Sequence, residues 1–185
     1  MDKKKTIVTI DPGASGGIGY FHNNFARAVK MPETIKEMDE FIKYLKDTFP
    51  DILLFIEKVN SYRGDEDVKD GKRFGIDKML ANYERLKTVI TMNGIMFVEV
   101  PPVTWQTTLK LKFKRPKGID DGKYKTMRKN KYKKAAENMF PEIKKVTLAT
   151  SDALCLIQFA LWKMENDPSW IQERLQNKPS TGLFT

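Results

Sequence analysis

The chain has 185 residues, 41% hydrophobic and 11% aromatic, which is enough apolar material for one domain with a real core and excludes an intrinsically disordered protein. The formal net charge is +9 and sits in one place: Lys110 to Lys134 holds twelve Lys or Arg against two acids, leaving the other 160 residues at −1. The single cysteine, Cys155, excludes an intramolecular disulfide, and the longest apolar run, Ala153 to Trp162 interrupted by Gln158, is too short to span a bilayer.

The amino terminus, MDKKKTIVTI, moves from lysines straight into a strand pattern, which argues against a signal peptide and for a soluble, intracellular protein. Thr6 to Ile10 is β-branched throughout and predicts a buried strand, followed by a glycine turn and a second strand from Gly17 to Phe21. His22, Asn23 and Asn24 supply a tight turn into a third strand, Phe25 to Lys30. Thr34 with Glu37 forms a capping-box signature, and Ile35, Met38, Phe41, Ile42 and Leu45 follow at helical spacing as far as Phe49. ILLFIE is a near-continuous apolar run, the mark of a central strand covered on both faces.

A polar loop from Lys58 to Arg73 leads into a helix from Gly75 to Met92, closed by Asn93 and Gly94. The apolar face of that helix suits either a dimer surface or packing on the sheet. IMFVEV predicts a fifth strand, stopped by Pro101 and Pro102; Trp105 to Leu109 reads as a short helix and Met127 to Phe140 as another within the basic segment. A buried helix spans Ser151 to Glu165, with Thr150 or Ser151 as its N-cap and Cys155 as core filler. The chain thus divides into one domain, 1–166, and a tail, 167–185, with a short helix begun by Asp167 and Pro168.

Counting directions makes the first and fourth strands parallel neighbours, so Asp11, just past one, and Glu57, at the end of the other, project from the same carboxyl edge of the sheet. A third acid, Asp152, opens the buried helix. Each has an ordinary reading: Asp11 as turn chemistry, Glu57 as a strand reaching water, Asp152 as complement to a helix dipole. Carboxylates held close repel one another, however, and a hard divalent cation such as Mg²⁺ resolves the conflict while bridging to a phosphate. Beside a segment carrying +10, the three acids favour a metal-dependent nuclease acting on a polyanion. Gly13, Gly16 and Gly17 give the turn after Asp11 room for positive φ angles and for close approach of a sugar-phosphate chain.

IDPGASGGIGYF, LLFIEKV, RFG at Arg73 to Gly75, VEVPPVTWQ and SDALCLI, in this order from Thr6 to Leu161, resemble the RuvC-type Holliday junction resolvases, especially the phage-like branch of that RNase H-fold superfamily. The resemblance implies an α/β, RNase H-like fold with a mixed five-stranded sheet flanked by helices. It further implies a homodimeric, Mg²⁺-dependent endonuclease, with Mn²⁺ as substitute, that binds four-way or other branched DNA in recombination and repair, in the cytoplasm and away from membranes. Carried onto the matching positions, it makes Asp11, Glu57 and Asp152 metal ligands and catalytic residues.

Tyr62, Arg63, Arg73 and Phe74 become candidates for contact at an opened junction, and Lys110, Lys112, Lys114, Arg115, Lys117, Lys123, Lys125, Arg128 and Lys131 for phosphate contact without sequence readout. The family usually has a fourth ligand three or four residues before the last aspartate, where this chain has Leu148 and Ala149; Thr147, Thr150, Ser151 and Glu142 are the candidate substitutes. That departure makes a junction-binding protein without cleavage the chief rival. IDPGASGG is also similar to the first phosphate loop of the sugar-kinase and actin group, but a second such loop and a second domain are missing. A dinucleotide fingerprint is excluded because the glycines lead into a strand.

Overall fold

The computed structural model describes residues 5–49, 51–59 and 73–176, without the side chains of 73–76 and 78. The chain starts with a strand β1 (Thr6–Asp11), a hairpin of β2 (Gly17–His22) and β3 (Phe25–Lys30), and a helix α1 (Ile35–Thr48). Then come β4 (Ile52–Glu57), α2 (Arg73–Met92), β5 (Met96–Val100), α3 (Pro102–Thr108), α4 (Asp121–Met139) and α5 (Ser151–Asn166). A short helix α6 (Pro168–Arg174) and a two-residue strand β6 (Leu175–Gln176) follow.

The strands form one sheet in the order β3-β2-β1-β4-β5-β6, with β1, β4 and β5 mutually parallel and the other pairings antiparallel. The sheet therefore has six strands, not the five expected. The sixth is β6, which pairs Gln176 with Phe97 and Leu175 with Val98. Two residues are too few to show alternation, so the tail gives no strand pattern in sequence.

Strand periodicity splits the core in two. Ile7, Leu53, Phe55, Val98 and Val100 face one way, against α3, α4, α5 and α6. Val8, Ile10, Ile52, Leu54, Ile56 and Phe97 face the other, against α1 and α2. Alternate residues of a strand point to opposite faces, so covering both faces with helices turns ILLFIE apolar at every position but the last. Among the described α2 residues, Tyr83, Leu86, Val89 and Ile90 are buried in that second cluster, so the apolar face of α2 packs on α1 and the sheet.

Local signals set the ends. Thr34 Oγ1 accepts from Glu37 N (3.1 Å) while the Glu37 carboxylate accepts from Thr34 N (2.9 Å), a complete capping box. Asn23 and Asn24 have φ of 49° and 67°, the two left-handed positions of a two-residue hairpin turn. α3 begins at Pro102 rather than Trp105, because a proline in the first turn gives up no helical hydrogen bond. α4 begins six residues before Met127: the Asp120 side chain accepts from Lys123 N (2.9 Å), a cap that supports a first turn without apolar residues.

α5 is the central post of the second layer, touching β1, β2, β3, β4, α3, α4 and α6. Thr9, buried in the middle of β1, donates its hydroxyl to Ala153 O at 2.7 Å, tying the sheet to the first turn of α5. Gly19 permits this closeness: a Cβ there would lie 2.7 Å from Thr9 Oγ1 and 3.0 Å from Ile157 Cδ1. No helix among the described residues is long and apolar enough to cross a membrane.

Candidate active site

Parallel pairing of Ile10 with Ile56 brings the next residues, Asp11 and Glu57, to the carboxyl edge of the sheet side by side. Asp11 is the last residue of β1, paired with Gly17, rather than the first residue beyond the strand. Asp152 enters from α5, whose position relative to β1 is fixed by the Thr9–Ala153 bond. All three acids line one cleft of ≈ 350 Å³, walled by Pro12, Gly13 and Ser15 on one side and by Gln106, Lys125, Arg128, Lys129 and Tyr132 on the other.

Lys129 of α4 reaches into the middle. Its Nζ lies 2.8 Å from Asp152 Oδ2 and 3.1 Å from Asp11 Oδ2, with all three side chains largely withdrawn from solvent. This cation was absent from the candidate set drawn from sequence. The signal existed on the helix itself: Lys125, Arg128, Lys129, Tyr132 and Ala136 share one face at helical spacing, and Tyr132 and Ala136 are buried. With the helix begun at Met127, that stripe is cut short and Lys129 reads as one cation among many.

The electrostatics of the cleft are those of crowded acids. Burial, reinforced by the charges of Asp11 and Asp152, raises the Glu57 pKa well above the usual carboxylate range. Burial and Asp11 also raise Asp152, against the opposing pull of Lys129 and of the Ser151 hydroxyl, which donates to Asp152 Oδ1 at 2.9 Å. Burial disfavours the Lys129 ammonium, but Asp11 and Asp152 outweigh it and the net shift is upward, so Lys129 stays charged.

The turn after Asp11 is tight for a reason other than the one expected. Among described glycines only Gly94 and Gly118 have positive φ, so Gly13, Gly16 and Gly17 are not there for left-handed backbone. A Cβ on Gly16 would lie 2.1 Å from the Asp11 carbonyl oxygen, and one on Gly17 would lie 2.7 Å from Val29 O and 2.8 Å from Ala149 O. The chain's own backbone needs that space, and folding it closely holds Asp11 at the cleft.

The candidate substitutes for a fourth ligand are otherwise engaged. Thr147 and Thr150 exchange hydrogen bonds, Thr147 N to Thr150 Oγ1 (3.0 Å) and Thr150 N to Thr147 Oγ1 (3.2 Å), and Thr150 occupies the N-cap position of α5 without capping through its side chain. The Ser151 hydroxyl serves Asp152, and Glu142 is exposed and outside the cleft lining. Among the described residues no three His, Cys, Asp or Glu side chains form a ready-made cage for a metal ion. The donor chemistry nevertheless suits a hard cation, since three carboxylates converge and two of them already bracket a positive charge.

Of the other candidates, Lys125 and Arg128 line the cleft. Lys131 lies 5.6 Å from the Phe113 ring, which stacks on Tyr124 at 5.8 Å, and Arg115 packs on Tyr124 while pairing with Asp121. Lys110, Lys112, Lys114, Lys117 and Lys123 are exposed along the approach to α4 and its first turn. Tyr62 and Arg63 fall outside the described residues; Arg73 and Phe74 open α2, with their side chains outside what is described.

A mixed sheet of this order, with its three parallel strands central and helices on both faces, is an α/β fold of the RNase H-like kind found in RuvC structures. Solved structures share it, two of them from Thermus thermophilus. RuvC of Thermus thermophilus in complex with a Holliday junction substrate superposes with a TM-score of 0.52 at 13% identity, covering 88% of this chain and 96% of that one. A second Thermus thermophilus RuvC structure gives 0.51 at 13% identity over 86% and 95%. No protein-family model and no curated protein matches the sequence.

Proposed function

We propose that this protein is a divalent-metal-dependent endonuclease that nicks Holliday junctions or related branched DNA, of the phage-like resolvase branch. In that role it works as a homodimer in recombination and repair in the cytoplasm, the host's if it is phage-encoded. One observation carries the reading: acids from β1, β4 and α5 meet in a single cleft roofed by the cationic helix α4. The shared fold with RuvC bound to a Holliday junction supports it.

Asp11, Glu57 and Asp152 would hold Mg²⁺ or Mn²⁺, which supplies Lewis acidity to the phosphodiester and activates water. The chain does the rest. Lys129 bridges Asp11 and Asp152, its ammonium offsetting their mutual repulsion. Glu57, at the end of β4 beside Asp11, adds the third carboxylate from the edge of the sheet. Lys125 and Arg128 hold the strand by its phosphates, and the exposed lysines from Lys110 to Lys123 gather the arms of the branched DNA without reading sequence.

The second reading, a junction binder that does not cut, draws on the Lys129 contacts and on Leu148 and Ala149 standing where a further acid is expected. Asp11→Asn decides between them when tested on four-way, flap and linear DNA with Mg²⁺ or Mn²⁺. The nuclease reading expects the parent to nick branched DNA, and the variant to bind it equally well without nicking. A variant that still nicks removes Asp11 from the chemistry, whereas a parent that shifts junctions but never cuts them establishes the binder.

A further inference from the structure

Three buried side-chain polar atoms among the described residues lack a hydrogen-bond partner: Arg128 Nε and Tyr132 Oη, on residues that line the cleft, and Trp105 Nε1, in the core behind Tyr132. Arg128 and Tyr132 are one turn apart on α4, and both line the cleft. Trp105, fully buried on α3, packs edge-on against Tyr132 with ring centroids 5.0 Å apart. Tyr132 is only 1% exposed.

Buried polar groups are nearly always hydrogen-bonded, because each one left unpaired costs the desolvation of that group. Two of these atoms can only donate, and the third is a hydroxyl that burial holds in its protonated, donating form. A protein acceptor would have to compete with Glu57 and Asp152 for space in a cleft already crowded with negative charge. A wall of donors with no acceptor suits a ligand that brings oxygens of its own, and the fixed charge of the Arg128 guanidinium selects an anionic one.

We propose that Tyr132 and Arg128, backed by Trp105, form a phosphate subsite beside the carboxylates that takes a non-bridging oxygen of the DNA phosphate neighbouring the one attacked. This deepens the nuclease reading and rests on it. The carboxylates repel a strand, while this wall holds it in register at the next linkage. The ligand class is a nucleotide phosphate in single-stranded or opened DNA, since Tyr132 is almost wholly buried.

The test follows the Trp105 indole N–H resonance and the Tyr132 ring resonances in the full chain while thymidine 3′,5′-bisphosphate is added, with Trp105→Phe and Tyr132→Phe spectra for assignment. Both sets of signals should move saturably. Tyr132→Phe should bind the probe about tenfold more weakly, the effect of one hydrogen bond to a charged oxygen, and should fold as stably as the parent, because the hydroxyl it loses has no protein partner. Should the signals stay still, or Tyr132→Phe bind the probe as tightly as the parent, while the parent still nicks branched DNA, the donors serve ordered water and the subsite falls alone. If the parent neither binds nor nicks branched DNA, the nuclease reading falls and the subsite with it.

Discussion

Lys129 is a cation built into a cluster of acids, and removing it should expose what it neutralises. Lys129→Met keeps most of the length and the apolar stem but deletes the ammonium that lies 2.8 Å from Asp152 and 3.1 Å from Asp11. Breaking a buried ion pair by deleting one partner costs about 3–5 kcal/mol, and here one ammonium serves two carboxylates. With the Lys129 side chain 16% exposed, the lower end applies, about 3 kcal/mol. For a urea dependence of roughly 2 kcal/mol/M, the unfolding midpoint in EDTA should fall by about 1.5 M.

The pH dependence fixes the cause. Lys129 has a folded pKa above its ordinary value of 10.5, so its contribution is complete below that value and disappears as pH rises through the folded pKa. The gap between parent and variant should therefore hold through neutral pH, close in strong base, and shrink in acid as the carboxylates protonate. Added Mg²⁺ should restore more stability to the variant than to the parent, because no ammonium competes for the acids. A Lys129→Met midpoint in EDTA equal to the parent's would show that the ammonium does not hold the acids together, and the account of the cleft's charge balance would fail.

Glu57→Gln should stabilise the metal-free protein at neutral and alkaline pH and match it near pH 4.5 and below. A carboxylate whose folded pKa is raised costs stability as pH climbs from its ordinary value of 4.5 toward the folded one, and the amide escapes that cost; parallel melting curves across pH check this. Gly16→Ala should lose about 1–3 kcal/mol and abolish nicking, since its Cβ would meet the Asp11 carbonyl oxygen at 2.1 Å; chemical denaturation and a nicking assay read both effects. Alanine at Lys114, Lys117 and Lys123 together should leave stability unchanged and weaken junction binding, lowering the slope of log affinity against log salt by up to about 0.9 for each phosphate that no longer meets a lysine. Salt titrations of parent and triple variant supply that slope.

What the sequence disclosed was whatever repeats or punctuates. ILLFIE matched β4 to the residue because burial on both faces leaves no polar position, and Thr34 with Glu37 started α1 because the capping box is a local device. The meeting of Asp11 with Glu57 was readable from the parallel count of strands, and that of Asp152 from the likeness of SDALCLI to a family motif. What remained hidden depends on distant partners. β6 exists only because the edge of β5 offers it two residues of pairing, and Lys129 differs from its eleven basic neighbours only by the direction α4 takes across the cleft. The glycines after Asp11 were noticed for their turn, but their use is to make room for the carbonyls of Asp11, Val29 and Ala149, two of them remote in sequence.

The place of α5 in the chain has a consequence for biogenesis. β5 ends at Val100 and α5 begins only at Ser151, yet α5 is the central helix over one face of the sheet. At about 5–20 residues per second, a ribosome leaves Ile7, Leu53, Phe55 and Val98 without their lid for several seconds after the last parallel strand has emerged. During that interval the nascent chain is a natural client for holdase chaperones. A product interrupted before Ser151 lacks both Asp152 and the post that sets it, so the half-made protein exposes apolar surface while its carboxylate set is incomplete.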